Sequence, residues 1–158
     1  ILDGRSPRRT LVLKLDVLRQ ERDRLSTTQS KGLDVIAVGS PHFSLEEFRE
    51  LVRLFDRRVA RLPFYVCTGR HVLDELEKQG LMRAVEETGV RLILDTCVVV
   101  TAIIPGSGGV LMTNSGKFAH YSPSLIGHEV VIGSMADCLE SAVSGEVSRV
   151  PSGWASNV

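Results

Sequence analysis

The stretch that decides the fold is Asp34-Val-Ile-Ala-Val-Gly-Ser-Pro-His42-Phe-Ser44-Leu-Glu-Glu47. Its apolar run from Asp34 to Gly39 predicts a buried strand. Ser44 and Glu47 have the spacing of a capping box, in which each residue's side chain satisfies a backbone amide of the other at a helix start. The stretch therefore predicts a strand followed directly by a helix that begins at Leu45.

The same alternation continues along the chain. The helix that begins at Leu45 has apolar residues at helical spacing as far as about Arg58. Phe43 and Phe48 are placed as a hydrophobic staple around its N-terminal cap. Further apolar runs predict strands at 64–67, 90–94, 110–112 and 129–132, with helical pattern at 72–87, interrupted at Gly80, and from about Asp137 to Gly145. Strands that alternate with helices favour parallel pairing with right-handed crossovers. We predict an α/β fold of three layers, with about five mainly parallel strands flanked by helices.

Upstream of the first strand, residues 12–25 have a helical pattern that places Leu15, Leu18, Arg22 and Leu25 on one face. The expected domains are a tail, helix and linker over 1–33, an α/β domain over 34–150, and a tail over 151–158. The chain opens on Ile1 rather than Met, and no strand pattern precedes residue 34. We therefore expect it to be a piece of a longer protein.

Composition excludes several classes of function. Of the 158 residues, 43% are hydrophobic and 24% charged, which is ordinary for a globular domain. Basic and acidic side chains number 19 each, so no net basic field favours nucleic acid or anionic lipid as a partner. No apolar run approaches the roughly 18 residues of a membrane span. Three cysteines without an export signal indicate free thiols or metal ligands, and we expect a cytosolic protein.

Polar side chains gather where the predicted strands end. In parallel sheets the ligand site lies beyond the carboxyl ends of the strands. The segments that follow the five strands are Gly39-Ser-Pro-His42-Phe-Ser44, Thr68-Gly-Arg70-His71, Asp95-Thr-Cys97, Thr113-Asn-Ser115-Gly-Lys117-Phe-Ala-His120-Tyr121 and Gly133-Ser134, the last leading to Cys138. The sequence thus predicts a site at this edge of the sheet.

The cysteines each have a structural and a functional interpretation. Cys67 lies inside an apolar strand, so we interpret it as structural. Cys97 follows a strand end, where a single cysteine is more often inert. Cys138 would lie in the first turn of a helix, where the macrodipole favours the thiolate that metals require, or it is a core residue beside Leu139 and Ala142.

The turn around Ser115, Gly116 and Lys117 is not a P-loop, since Leu111 and Phe118 replace residues that the motif requires. What remains is a glycine turn with an amide, a hydroxyl and an ammonium, which suits a carboxylate or phosphate. His42 could be functional or could only hydrogen-bond the backbone, and His128 is expected to be solvated.

Four ordered segments resemble the aconitase X family: Asp34 to Glu47, Asp95-Thr-Cys97, Thr113-Asn-Ser-Gly-Lys-Phe-Ala-His-Tyr-Ser-Pro123, and Cys138 in its small-residue helix. The Asn-Ser-Gly-Lys segment is the most specific part. The resemblance runs from about Val17 to Val150, and Pro151-Ser-Gly-Trp154 is similar to the close of the family's catalytic unit. More than half of that unit, the part preceding this region, is absent from the sequence.

The resemblance implies part of a lyase that dehydrates a small hydroxy acid, such as mevalonate 5-phosphate or cis-3-hydroxy-L-proline. It implies an iron-sulfur cluster of unknown type on three cysteines, with Cys97 and Cys138 as two ligands and the third in the missing region. The implied catalytic residues are His42, Ser115 and Lys117, and the implied substrate-binding residues are Asn114, Ser115, Lys117, His120 and Tyr121. The implied partners are the rest of the catalytic unit and a small swivelling subunit or domain, so this chain is expected to be inactive alone.

Two alternatives stay open. The chain could be a non-catalytic α/β module that binds a small phosphorylated or carboxylated ligand. It could also be a thiol-dependent enzyme in which His42 or His120 activates Cys97, although no motif supports this reading.

Overall fold

The computed structural model describes residues 6, 7, 9–106 and 108–150. Its strands are β1 Val35–Phe43, β2 Phe64–Thr68, β3 Arg91–Leu94, β4 Val110–Thr113 and β5 Glu129–Ile132. Its helices are α1 Leu15–Leu25, α2 Leu45–Phe55, α3 Arg70–Lys78, α4 Met82–Glu86, α5 Gly116–Leu125 and α6 Met135–Ser144. None of the described helices is long and apolar enough to cross a membrane. The C-terminal tail that resembles the close of a catalytic unit lies outside the described residues.

The five strands form one sheet in the order β3-β2-β1-β4-β5, and every pair is parallel. The predicted α/β fold is confirmed. Successive strands move outward from β1 in one direction through β2 to β3, and then in the other through β4 to β5. The order therefore reverses between β1 and β4, where ligands bind in open parallel sheets.

Two layers of helices cover the sheet. Because side chains alternate along a strand, Phe64 and Val66 of β2 face one layer while Tyr65 and Cys67 face the other. The first core also contains residues of α2, α3, α4 and α6. The second core receives Phe118 of α5 together with the segment that follows β3.

The junction from β1 to α2 forms as the sequence predicts. The Ser44 hydroxyl accepts from the Glu47 amide at 3.3 Å, and the Glu47 carboxylate accepts from the Ser44 amide at 2.8 Å. The rings of Phe43 and Phe48 meet edge to face with centroids 5.0 Å apart. The cap and the staple together direct the chain from the sheet edge into the first helix layer.

Three local expectations need correction. The last helix begins at Met135 rather than near Asp137, because Ser134 and Asp137 form its capping box. Strand β1 extends beyond the predicted end at Gly39 to Phe43. The carbonyl oxygen of Phe43 accepts a hydrogen bond from the Thr68 hydroxyl at 2.7 Å. Helix α5 has no counterpart in the prediction, because its internal Pro123 and few apolar residues conceal the helical period.

The linker before the sheet is part of the domain surface. The amide of Thr27 donates to the carbonyl of Val130 at 2.8 Å, and the Thr27 hydroxyl accepts from the Val130 amide at 2.8 Å. The Ser26 hydroxyl accepts from the Ile132 amide at 3.1 Å. These bonds run along the edge strand β5 and fix the end of α1 against it.

Candidate functional site

A crevice lies at the carboxyl ends of β1 and β4, where the strand order reverses. We call it the switch-point crevice. Its volume is about 220 Å³, and its lining residues are Gly39, Ser40, Pro41, His42, Glu47, Asn114 and Ser115. The structure therefore brings together three of the predicted site residues, His42, Asn114 and Ser115.

Gly39 shapes the wall of the crevice on the β1 side. Its φ of +91° is a conformation that residues with a side chain rarely adopt. A Cβ at this position would lie 2.2 Å from the carbonyl oxygen of Cys67 on the neighbouring strand. Glycine allows β1 to bend over β2, and the next residues then turn into the crevice with a cis Ser40-Pro41 peptide bond.

Ser115 joins the two sides of the crevice. Its hydroxyl donates to the carbonyl oxygen of Ser40 at 2.6 Å and accepts from the Phe118 amide at 3.2 Å, where it caps α5. The residue is buried, so both bonds are protected from water. In this arrangement the hydroxyl proton of Ser115 is held by a backbone carbonyl, and a catalytic role for Ser115 stays a prediction.

The other polar side chains of the crevice differ in their exposure and in their hydrogen bonds. His42 is exposed at its rim, and Asn114 is half-buried between the crevice and the neighbouring α1 cavity defined below. Glu47 also lines the crevice, but its carboxylate accepts from both the amide and the hydroxyl of Ser44. The arrangement offers an imidazole and an amide to a small polar ligand, beside a carboxylate engaged in a helix cap.

Three predicted site residues lie outside the crevice. Lys117 and His120 are exposed on α5, and the ring of Tyr121 packs edge to face against that of His120 with centroids 4.8 Å apart. None of the three is among the residues that line the switch-point crevice. Their assignment to substrate binding stays a prediction.

A second cavity adjoins the crevice, and we call it the α1 cavity because α1 forms one wall. Its volume is about 380 Å³ and its lining is Leu18, Glu21, Arg22, Leu25, Asn114, Ile132, Gly133, Ser134 and Met135. Asn114 belongs to both linings. The two cavities therefore share this lining residue.

The three cysteines have different surroundings. Cys67 is fully buried in β2, and burial raises the pKa of its thiol to about 11, in keeping with the structural role predicted for it. Cys138 is fully buried among core residues that include Leu139 and Ala142, and burial raises the pKa of its thiol well above the ordinary value. Of the two interpretations of Cys138, the core residue beside Leu139 and Ala142 agrees with this burial, and a role as a metal ligand stays a prediction. Cys97 is half-buried after β3.

The two predicted ligand thiols do not fit one iron-sulfur cluster in this arrangement. Cys138 packs in the first core and Cys97 against the second, so the sheet lies between them. Cys97 follows β3 at one edge of the sheet, whereas Cys138 follows β5, the opposite edge strand. Within the part of the chain that the structure describes, no group of three or more His, Cys, Asp or Glu side chains could hold a metal ion.

The structure also bears on two expectations about histidines: that His128 is solvated, and that His42 or His120 could activate Cys97. His128 is buried rather than solvated, and its Nδ1 lies 2.9 Å from the carbonyl oxygen of Ile126. Across the described residues, no hydrogen bond joins Cys97 to His42 or His120. The alternative in which one of these histidines activates Cys97 stays a prediction.

Sequence reasoning missed two residues that line these cavities. The sequence places Glu47 only in the capping box, although a cap directly after a strand end lies beside the site. It places Arg22 only as the one charged residue on an otherwise apolar helix face. That exception to the apolar pattern is the signal that points to Arg22.

Comparison with known proteins identifies the relatives of this architecture. Residues 33–144 match the family model described as "Aconitase X third domain". The cis-3-hydroxy-L-proline dehydratase of Pseudomonas aeruginosa is 36% identical over 154 residues, covering 95% of this chain and 26% of that protein. The phosphomevalonate dehydratase large subunit of Methanocaldococcus jannaschii is 29% identical over 126 residues, covering 80% and 31%.

A solved structure agrees with the sequence matches. The crystal structure of Thermococcus kodakaraensis aconitase X in its holo-form superposes with a TM-score of 0.68 at 28% identity, covering 80% of this chain and 33% of that one. The chain thus spans about a quarter to a third of the relatives that it matches.

Proposed function

This chain belongs to the aconitase X family, and we propose that it forms part of a dehydratase that removes water from a small hydroxy acid. Two relatives are named for the dehydration of cis-3-hydroxy-L-proline and of phosphomevalonate, and both are hydroxy acids. We take this class as the substrate. Because the chain corresponds to about a quarter to a third of these relatives, we propose that it acts only together with the rest of the catalytic unit and a small partner subunit or domain.

The observation that carries this proposal is the switch-point crevice. It places His42, Asn114 and Ser115 at the point of a parallel sheet where ligands bind, and these are residues that the family resemblance independently implies. An amide and an imidazole can orient a hydroxyl and a carboxylate by hydrogen bonds.

The reaction itself is an elimination. A base removes the proton from the carbon next to the one bearing the hydroxyl, the electron pair of that C–H bond becomes the new carbon–carbon double bond, and the hydroxyl leaves with a proton as water. We propose that His42 donates to the substrate or positions the base, and that Asn114 and Ser115 orient the substrate. Lys117, His120 and Tyr121 are proposed as further contacts, made where the rest of the catalytic unit covers the exposed face of α5.

An iron-sulfur cluster is proposed for the complete enzyme, with most ligands outside this chain. Cys97 is its better candidate ligand here, since it is half-buried, whereas Cys138 is enclosed in the core as a neutral thiol. After anaerobic reconstitution of the complete enzyme, Cys97→Ser should lower the iron content while Cys67→Ser should not. Equal iron in the two variants would remove Cys97 from the ligand set, and loss in Cys138→Ser would require α6 to rearrange.

The direct test is a dehydration assay with the complete natural protein and with this chain alone, on cis-3-hydroxy-L-proline and mevalonate 5-phosphate. We expect turnover of one substrate by the complete protein and none by the isolated chain. Binding without turnover by the complete protein would contradict the proposal and favour a ligand-binding module.

A further inference from the structure

We infer that a cavity at the amino ends of the strands is a second binding site, for a small α-amino acid in its zwitterionic form. The cavity has a volume of about 320 Å³ and lies at the edge of the sheet opposite the switch-point crevice, so we call it the amino-edge cavity. Every strand contributes to its lining at or near the residue where it begins, with Asp34 (β1), Tyr65 (β2), Arg91 (β3), Gly109 (β4) and His128 (β5). The inference does not depend on the proposed dehydration, since the four residues of β4 separate this cavity from the crevice by roughly 13 Å.

Two hydrogen-bond donors lie side by side in the amino-edge cavity. The Arg91 guanidinium lies over the ring of the buried Tyr65, with Cζ 5.6 Å from the ring centroid, and its Nη1 donates to the Tyr65 hydroxyl oxygen at 3.2 Å. Within the described part of the chain, no acceptor takes the hydroxyl proton of Tyr65 and no carboxylate pairs with Arg91. A ligand carboxylate can therefore accept from the hydroxyl and from the outer edge of the guanidinium, whose planar donors match its two oxygens.

Two acceptors come from the segments that precede β1 and β5. Oδ2 of Asp34 accepts from the Val110 amide at 2.7 Å, and Oδ1 has no donor among the residues that the structure describes. His128 is only 3% exposed, and its Nδ1 lies 2.9 Å from the carbonyl oxygen of Ile126, which can only accept. Nδ1 therefore carries a proton, and Nε2 of the neutral ring is an acceptor without a described partner. A ligand ammonium group can donate to both side chains.

The loop before β4 shapes the cavity around these groups. Gly109 has a φ of +103°, and a Cβ at this position would lie 2.8 Å from Oδ2 of Asp34. Only glycine therefore allows the loop to approach this carboxylate so closely. The lining also includes Pro63, Ile104 and Pro105, which offer an apolar wall to a short aliphatic skeleton.

The two opposite charges of the lining favour a zwitterion over a ligand of one charge. Asp34 repels a simple anion and Arg91 repels a simple cation. The two side chains do not neutralise each other, because no ion pair joins them in the described ranges. A molecule that carries an ammonium and a carboxylate on one carbon satisfies both charges, and this is the chemistry of an α-amino acid.

The ligand class is tested on the 158-residue chain with L-proline and two analogues of the same ring size. Cyclopentanecarboxylate lacks the ammonium, and pyrrolidine lacks the carboxylate. The amide resonances of Val35, Gly109 and His128 report the amino-edge cavity in an NMR titration, and those of Asn114 and Ser115 report the crevice. We expect L-proline to shift the first group with a dissociation constant on the order of 1 mM, and both analogues to bind at least about tenfold more weakly. Equal binding of either analogue, shifts confined to the crevice, or no saturable shifts would overturn the inference.

Matched variants test the two charged side chains. Arg91→Met keeps an unbranched apolar stem without the charge, and Asp34→Asn keeps an oxygen that can accept from the Val110 amide. Arg83→Met is the control, because Arg83 is exposed, pairs with a glutamate four residues later and is not among the lining residues. Both cavity variants should weaken the binding of L-proline at least about tenfold, while the control stays within about twofold. An unchanged dissociation constant in either cavity variant would contradict the assigned contacts.

Discussion

The hydroxyl of Ser115 donates a 2.6 Å hydrogen bond to the carbonyl oxygen of Ser40, which ties the exit of β4 to the exit of β1. The two strands are neighbours whose following helices, α2 and α5, pack on opposite faces of the sheet. One buried hydroxyl thus fixes the width of the switch-point crevice and caps α5.

Replacing Ser115 by alanine removes both of its hydrogen bonds and leaves the Phe118 amide and the Ser40 carbonyl without this partner. The free energy of unfolding should fall by about 1–3 kcal/mol, measured by urea denaturation. Ser124→Ala is the control, since Ser124 is exposed on the same helix, and it should cost less than about 0.5 kcal/mol. Equal effects in the two variants would show that the Ser115 bonds do not hold the crevice.

Gly39 and Gly80 separate the effect of backbone conformation from that of a close contact. Both have positive φ, but a Cβ at Gly80 would meet nothing within 4 Å, whereas at Gly39 it would meet the Cys67 carbonyl. Gly80→Ala should lower the free energy of unfolding by about 1–2 kcal/mol, from the left-handed conformation alone. Gly39→Ala should cost at least about 2 kcal/mol more, because a backbone atom must move. A similar loss in both would contradict the described approach of β1 to β2.

The thiols should react in an order set by their burial. In the folded chain, iodoacetamide should modify Cys97 first, and Cys67 and Cys138 at least about a hundredfold more slowly, because they react only when the structure opens. Mass spectrometry of peptides after timed quenching measures each rate, and alkylation in urea serves as the control. Fast modification of Cys138 in the folded state would contradict its place in the core.

Stability should decline at alkaline pH partly through Cys67. Burial raises the pKa of this thiol from 9.0 to about 11, so between those values the folded state keeps the proton that the unfolded state has lost. The free energy of unfolding should therefore fall as pH rises through this window, by at most about 1.4 kcal/mol per pH unit from this group. Cys67→Ala should show a shallower slope in denaturation curves measured from pH 8 to 11. Parallel slopes for the two proteins would contradict the raised pKa.

Particular residues show how far sequence reasoning reached. The capping box of Ser44 and Glu47 and the apolar runs predicted the positions of the strands along the chain correctly, because both signals are local. Helix α5 was missed, since Pro123 and polar residues hide a helix stabilised by its contact with the sheet.

In the candidate site, too, local sequence signals predicted some features, and others depend on long-range contacts. The position of His42, Asn114 and Ser115 follows from strand ends alone, whereas the separation of Cys97 from Cys138 depends on which face of the sheet each following segment covers. Arg22 lines the α1 cavity because α1 is held against β5 and α5, through long-range contacts that no local pattern encodes.

The most direct test of the central claim is the kcat/KM of the complete enzyme on cis-3-hydroxy-L-proline and mevalonate 5-phosphate with Asn114 replaced by alanine. Gln79→Ala is the control, because Gln79 is an exposed amide at the end of α3 that lines no described cavity. If the substrate occupies the switch-point crevice, Asn114→Ala should lower kcat/KM at least about tenfold while Gln79→Ala stays within about twofold. Equal kcat/KM values in the two variants would contradict a substrate site at the carboxyl ends of β1 and β4.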